Sequence, residues 1–323
     1  MAVNANTNET YDVSTIREDL QDALISISPT DTPFMTAAGR RNIDNTFFEW
    51  GVVSLAAVDD SNRVAEGEAS PGNDAPTNAV RQGNYAQISD KVVEVSDTSN
   101  AVNGAGDAQT LAKQIAYKLK EMKRDMESML LSNVAASAGS SGTARQTAGL
   151  PAWLRTNVDR GGGGADGTTS GSGTSGYPDA AATDGTEREL TETLLKSVIA
   201  SCWDEGAEPS IVMVGSQAKQ KISTFSGNAT RFKEAEDSKL NAAIDVYISD
   251  FGELQVVPNR FQRSRDVFVL DPSYARVGYL KNTTQTELAR TGHSERRLIS
   301  AEYGLQIDNE AAHGVIADVD PTA

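Results

Sequence analysis

A single cysteine, Cys202, is all the chain contains. That excludes an intrachain disulfide framework and any metal site built from cysteine alone. Histidine is nearly as scarce: only His293 and His313 occur, and both lie far in sequence from Cys202. There is no His-Glu-x-x-His, Cys-x-x-Cys or Gly-x-Ser-x-Gly pattern, so no motif gathers a nucleophile, a base or metal ligands. No stretch is long and apolar enough for a bilayer span. Met1–Thr10 is polar, without the basic start and apolar run of a signal peptide. The expectation is a protein made in a reducing cytoplasm. Positive charge is also short: 29 Lys and Arg against 45 Asp and Glu give a formal charge of −16, which disfavours gripping a phosphate backbone.

What is present is length, glycine and periodicity. The 323 residues suit about two domains, and 27 glycines with only 38% hydrophobic residues suggest a packed scaffold carrying loops and arms. Near the start, Ile16, Leu20, Leu24 and Ile27 share one helical face, with Thr15 and Glu18 at capping-box spacing. A helix so short is marginal alone and should dock on its own body or a neighbour. Ser28–Met35, interrupted by Pro29 and Pro33, reads as extended chain. Residues 46–95 read as a long β-hairpin. Thr46, Phe48, Trp50 and Val52 alternate outward, Tyr85, Ile88, Val92, Val93 and Val95 mark the return, and a polar tip spans Asp59–Gln82.

The strongest helix signal runs from about Asp107 to Asn133, with Leu111, Ile115, Leu119, Met122, Met126 and Met129 on one stripe. Lys113, Lys120, Lys123, Arg124 and Glu127 fall opposite, with Lys123 and Glu127 spaced for an i,i+4 pair. Residues 160–185 are rich in Gly, Ser and Thr and predict a flexible, exposed loop that could be shortened without harm. The run Gly161–Gly164 lacks the Gly-Lys-Ser/Thr and the leading strand of a phosphate loop. Thr186 and Glu189 then predict a capping box for a helix whose face carries Leu190, Leu194, Val198, Ile199 and Cys202. Ile211–Val214 reads as a buried strand, and Ser216 as the cap of a helix reaching Phe225. Ile244, Val246 and Ile248 alternate ahead of a turn at Asp250–Gly252 and a returning strand. Val267–Leu270, Tyr279–Leu280 and Leu298–Ile307 close the chain.

Candidate chemistry is thin. Cys202 lies on an apolar stripe and reads as a core residue rather than a nucleophile. Asp59-Asp60 and Asp318-Val319-Asp320 lack the spacing of a calcium loop and read as solvated charge. No catalytic, metal or cofactor site is expected.

The ordered pieces do resemble a family. Thr32-Pro33-Phe34, Phe48-Glu49-Trp50, Gly83-Asn84-Tyr85-Ala86-Gln87-Ile88 and Lys123-Arg124-Asp125-Met126-Glu127 are similar to major capsid proteins of tailed bacteriophages with the Hong Kong phage capsid fold. So are Leu131-Ser132-Asn133, Ile299-Ser300-Ala301-Glu302-Tyr303-Gly304-Leu305 and Asn309-Glu310-Ala311-Ala312. The similarity spans nearly the whole chain. It departs in the glycine-rich stretch after Pro151-Ala152-Trp153-Leu154 and in having no long acidic scaffold-like segment at the N-terminus.

The resemblance implies an α+β fold with an N-terminal arm (1–45), an E-loop hairpin (46–95) and a peripheral domain with a spine helix (96–185). An axial domain with a central sheet flanked by helices (186–292) and a return to the peripheral domain (293–323) complete it. It implies a non-enzymatic shell subunit that forms pentamers and hexamers around double-stranded DNA, without sequence-specific binding and without a membrane. Assembly in the host cytoplasm would use a portal, a separate scaffolding protein and possible decoration proteins. Expected inter-subunit contacts are Asp59, Asp60, Arg63, Glu66, Glu68, Asp74 and Arg81 at the E-loop tip and Pro33, Phe34 and Met35 in the arm. Some relatives cross-link through a lysine near that tip; Asp59–Gln82 contains none, so a non-covalent shell is expected. The alternatives are a phage decoration, fibre or adhesin subunit, which the spine helix and lack of repeats fit poorly, and a hydrolase without a recognisable site.

Overall fold

A computed structural model describes residues 31–67, 75–101, 111–171, 176–225 and 245–320. The predicted helix around Ile16–Ile27 and the positions Glu68, Asp74 and Ile244 lie outside them.

The chain enters through a short helix, α1 (Pro33–Ala37), and a strand, β1 (Gly39–Asn42). This corrects the extended reading of Ser28–Met35: Pro33 occupies the first helical turn, where its missing N–H costs nothing. Next come β2 (Phe47–Val52), β3 (Val80–Tyr85), β4 (Gln87–Ser96) and α2 (Asp97–Ala101). The spine helix is α3 (Leu111–Leu130), followed by α4 (Leu150–Trp153) and β5 (Asn157–Asp159). The remainder comprises α5 (Glu192–Asp204), β6 (Ile211–Val214), α6 (Ser216–Ser223), β7 (Val246–Ser249), β8 (Gly252–Pro258) and β9 (Val267–Leu270). The strands β10 (Ala275–Glu287), β11 (Ser294–Ile307) and β12 (Gly314–Ile316) finish the chain.

Two sheets organise these elements. One has four strands in the order β1-β10-β11-β4, the other six in the order β5-β12-β9-β6-β8-β7. The predicted long hairpin is therefore two structures. Only β2 and β3 pair with each other, from Phe47 opposite Tyr85 to Val52 opposite Val80. After Ala86 the return strand changes sheet and β4 pairs along β11 instead. Val93 and Val95 turn to the core, leaving Ile88 and Val92 exposed, because a strand alternates faces. Sheet membership also cuts across the expected domain limits. Ala275–Glu287, assigned by sequence to the axial part, joins the four-stranded sheet, while β12 near the C-terminus adds to the six-stranded one.

The spine helix packs Met122, Met126 and Leu130 against Val93, Val95, Trp153, Phe268, Tyr303 and Phe34 in the larger core. Leu111, Ile115 and Leu119 are only partly buried against it. Glu127, expected on the polar face, is fully buried instead, so the Lys123–Glu127 pair is replaced by contacts described below. The second core lies under α5 and α6 and includes Leu195, Val198, Ile199, Cys202, Val212, Val214 and Val256. The helix α5 starts later than predicted: Thr191, not Thr186, caps it by accepting the Leu194 N–H. Leu190 and Leu195, both buried, flank that cap at the positions of a hydrophobic staple. Ser216 is the first helical residue of α6 and Gly215 its cap. In β7 the alternation runs opposite to expectation, with Tyr247 buried and Val246 and Ile248 exposed.

Candidate assembly surfaces

The β2–β3 hairpin is rigid at its root and bare at its tip. At the root, Phe48 joins Ile43 and Ala86 in a small core, and Trp50 meets Trp153 with ring centroids 5.4 Å apart. Phe47, Tyr85 and Tyr177 form a second aromatic group, with Phe47–Tyr85 at 4.7 Å and Tyr85–Tyr177 at 5.3 Å. Two glycines make room for this. A Cβ on Gly83 would lie 2.6 Å from the Phe47 ring, and one on Gly304 would lie 2.7 Å from the Phe48 ring, far inside normal contact.

Asn84, fully buried, fastens the root by hydrogen bonds. Its Nδ2 donates to the Leu305 carbonyl at 2.7 Å and to Thr147 Oγ1 at 3.0 Å; its Oδ1 accepts from the amides of Ala148 and Tyr85. Sequence reasoning quoted Asn84 only as part of a motif. An asparagine inside a strand pattern was the available signal, since a buried amide must find partners.

Beyond Val52 every described residue from Val53 to Gly67 and from Ala75 to Ala79 is exposed. Leu55 is 85% exposed and Val58 92%. Asp59, Asp60, Arg63 and Glu66 all stand in this stretch, open to solvent. Asp59 accepts from the Ser61 amide and hydroxyl in a local turn, which holds its carboxyl below the usual range. Arg81 sits lower and reaches Glu49 across the hairpin at 3.7 Å, both side chains largely exposed.

The arm is fastened to its own subunit. Phe34, expected at a subunit boundary, is 1% exposed within the larger core, and Met35 packs partly against it. Glu127 ties this point down. The Phe34 amide donates to its Oε1 at 2.7 Å, the Met35 amide to its Oε2 at 2.9 Å, and Asn259 Nδ2 to its Oε1 at 2.7 Å. One carboxylate thus joins arm, spine helix and the loop after β8. Burial raises its carboxyl above the usual range, against the lowering effect of these three donors. An isolated Glu in a polar stripe gives no sequence sign of this.

The glycine-rich segment corrects the prediction of a loose loop. It folds back on itself through antiparallel bridges at Ala165–Thr183 and Thr169–Pro178. Gly176 exchanges backbone hydrogen bonds with the E-loop root, accepting from Gly83 and donating to the Arg81 carbonyl. Asn133 and Ala182 hydrogen-bond reciprocally, side chain to backbone. At its foot lies a charge cluster. Arg263 pairs with Asp184 at 2.5 Å and Asp266 at 3.1 Å, and Arg265 with Asp318 at 2.7 Å. Asp318, read from sequence as solvated, is 1% exposed, sits at φ 61° and accepts the Gly161 amide. Aspartate is among the few side chains that tolerate this left-handed backbone.

No group of three or more His, Cys, Asp and Glu capable of holding a metal occurs among the described residues. Cys202 is buried and its thiol is pushed up to about 12 by burial, the setting of an inert core residue. His313 is wholly buried and pushed down to about 4 for the same reason, while His293 is exposed. None of the described helices is long and apolar enough to cross a membrane.

The family model of the SU10 major capsid protein matches residues 4–320. The chain belongs to that family, whose members are structural capsid proteins and not a class of enzyme. The major capsid protein of Escherichia phage Phieco32 is 30% identical over 327 aligned residues, covering 90% of each chain. Solved structures share the fold at low identity. A chain of Mycobacterium phage Cain is 12% identical with TM-score 0.64, covering 98% of this chain and all of that one. The capsid structure of cyanophage P-SCSP1u is 10% identical with TM-score 0.61, covering 98% and 96%. The holo-SrpI encapsulin complex of Synechococcus elongatus is 12% identical with TM-score 0.57, covering 95% and 94%. The protein is a phage major capsid protein, a virion component that forms an icosahedral shell.

Proposed function

We propose that this subunit assembles as pentamers and hexamers into a shell that closes around double-stranded DNA in the host cytoplasm. Assembly uses a portal and a separate scaffolding protein, and decoration proteins can be added. The reading rests on one observation above all: Leu55 and Val58 stand almost fully exposed on a hairpin whose root is locked. Apolar side chains held out in this way gain from burial on a neighbour, at about 25 cal/mol per Å² covered. The flanking charges Asp59, Asp60, Arg63, Glu66, Glu68, Asp74 and Arg81 pair across the boundary for about 0–1 kcal/mol each, summed over every copy.

Pro33, Phe34 and Met35 act in this scheme as the fixed base of the arm. The functional division into arm, E-loop, peripheral domain and axial domain follows the expected one, with β10 counted as peripheral and β12 as axial. The acidic balance suits a wall that contains DNA without binding it, and the lysine-free tip suits a non-covalent shell.

Electron microscopy of the chain expressed with and without a scaffolding partner tests this reading. Uniform closed heads should need the partner, and boiled heads should run as one monomer band. Uniform heads from the chain alone would remove the separate scaffold, a ladder of multimers would refute non-covalent closure, and absence of any shell or capsomer would refute the function.

A further inference from the structure

Charge on the spine helix is sorted more sharply than its core stripe requires. The helix carries Lys113, Lys118, Lys120, Lys123 and Arg124 against Glu121, Asp125 and Glu127. Each acid is already engaged. Glu121 holds Lys118 at 2.7 Å, Asp125 holds Lys91 of β4 at 2.6 Å, and Glu127 is buried against the arm. At about 3.6 residues per turn, Lys113, Tyr117, Lys120 and Arg124 run along the side opposite Ile115 and Met122, with Lys123 on its flank. Lys113, Lys120 and Lys123 are exposed, and Tyr117 is 41% exposed among them. The Arg124 guanidinium lies over the Phe261 ring, 5.6 Å from its centroid. Asn259 binds Glu127, so Arg260, exposed between these two contacts, extends the stripe. In a chain of formal charge −16, this basic line is a local exception.

We propose that this stripe is the surface of the subunit that meets the enclosed double-stranded DNA, contacting phosphates without reading bases. The inference rests on the reading that the shell encloses DNA, and it adds which face of the subunit points inward. A line of cations along one helix is the electrostatic footprint of a phosphate-backbone contact. From Lys113 to Arg124 the helix runs about 16 Å, a length over which a duplex presents about nine phosphates. An acidic protein segment fits less well. Stable protein contacts are anchored by apolar or aromatic side chains seated in pockets, and Tyr117 is the one large hydrophobic side chain this helix exposes. The surface recognises charge density and little else, which suits a backbone of uniform charge. Since the subunit as a whole is acidic, the contact is weak and salt-labile. It orients DNA along the wall without gripping it.

Anisotropy of a labelled duplex of about 30 base pairs, titrated with the full chain between about 50 and 200 mM salt, tests it. Free subunits should bind, and closed empty shells should not, because the stripe then faces inward. Lys120→Gln with Lys123→Gln and Arg260→Gln removes three exposed cations and leaves the stacked Arg124 in place. That chain should keep the parent's thermal unfolding and bind about tenfold more weakly or worse. Its slope of log affinity against log salt should be shallower by about 2 to 3. A second triple variant, Arg63→Gln with Arg276→Gln and Lys281→Gln, removes as many exposed cations elsewhere and should keep the parent's slope. No binding by the parent, equal slopes in the two variants, or equal binding by closed shells and free subunits would each overturn the proposal. Poly-glutamate of matched charge binding more tightly than the duplex would give the stripe to an acidic protein and overturn it too. A chain that forms no shell at all would refute the assembly reading instead, and the titration of free subunits would still decide the stripe.

Discussion

The E-loop tip and the glycine-rich segment look alike as sequence and differ as structure. Both are polar, poor in large apolar residues and broken by glycine or proline. Yet the described tip makes almost no contact beyond its own turns, whereas the segment 160–171 and 176–185 is bridged to itself, to Asn133 and to the hairpin root. Composition reports only that neither can build an apolar core. Whether such a stretch is folded depends on whether its backbone N–H and C=O groups find partners nearby. Gly176 finds them on Arg81 and Gly83. The described tip residues stand in solvent instead, where water can satisfy the same groups.

The widest separation between the two regions should come from removing the tip. Val52 and Val80 are the last pair of the hairpin, so residues 53–79 can be replaced by an Asn-Gly turn. Shell formation should be lost altogether, while thermal unfolding of the subunit stays within a couple of degrees of the parent. Circular dichroism and sedimentation on one sample decide it. Normal heads would take the E-loop out of assembly, and an unfolded product would place it in the core.

Second in size is the arm anchor. Glu127→Ala leaves the Phe34 and Met35 amides and Asn259 Nδ2 without their acceptor in a buried site. Each orphaned donor costs about 1–3 kcal/mol, so a loss of about 3–5 kcal/mol is expected in denaturant unfolding. Glu127→Gln, which keeps one acceptor oxygen, should lose less. Equal loss in both variants would mean that the carboxylate's acceptor geometry is not what matters.

Excising residues 163–184 and joining the ends with two glycines tests the other half of the comparison. Gly161 and Gly185 already lie close together, since a Cβ on Gly185 would sit 2.5 Å from the Gly161 carbonyl oxygen. The excision removes the Asp184–Arg263 pair, the Asn133–Ala182 bonds and the brace on the hairpin root. We expect about 2–4 kcal/mol of destabilisation from these hydrogen bonds and the partly buried ion pair, a fall of several degrees in Tm. An unchanged Tm would return the segment to the flexible loop that its composition suggested.

These cases also mark what was readable in advance. The spine helix, the strands Ile211–Val214 and Val267–Leu270, and the core role of Cys202 were legible because each carries its period or run locally. The switch of sheet at Ala86 was not, since Val92 and Val93 read as strand whichever partner they pair with. Glu127 was misplaced because a helical wheel sorts residues by polarity, and a buried carboxylate depends on donors 93 and 132 positions away. Asp318 misled for the same reason, its arginine and glycine partners being remote in sequence. The family resemblance carried the function; the residues that hold the hairpin root and the arm became visible only in three dimensions.

The smallest expected effect lies at the foot of the glycine-rich segment, where Asp266 can report whether that segment stays docked. Burial pushes its carboxyl up to about 6, against the lowering effect of Arg263, while its side chain is only 2% exposed. Unfolded, it titrates near 3.8. Between these values the folded chain holds a proton that the unfolded chain has released. Stability from this group is therefore full below about pH 4 and is lost as pH rises through about 6, by at most about 3 kcal/mol. Asp266→Asn cannot titrate and lacks that fall. Measured by urea unfolding from pH 4 to pH 7, the variant should gain on the parent as pH rises, with the change complete above about pH 6. If Asp184 and the segment above it help to keep this site dry, the excised chain should show a flatter Asp266 profile than the full chain, because water admitted there brings the carboxyl back toward its ordinary value. A profile unchanged by the excision would mean that the burial of Asp266 belongs to the β8–β9 loop alone and owes nothing to the segment.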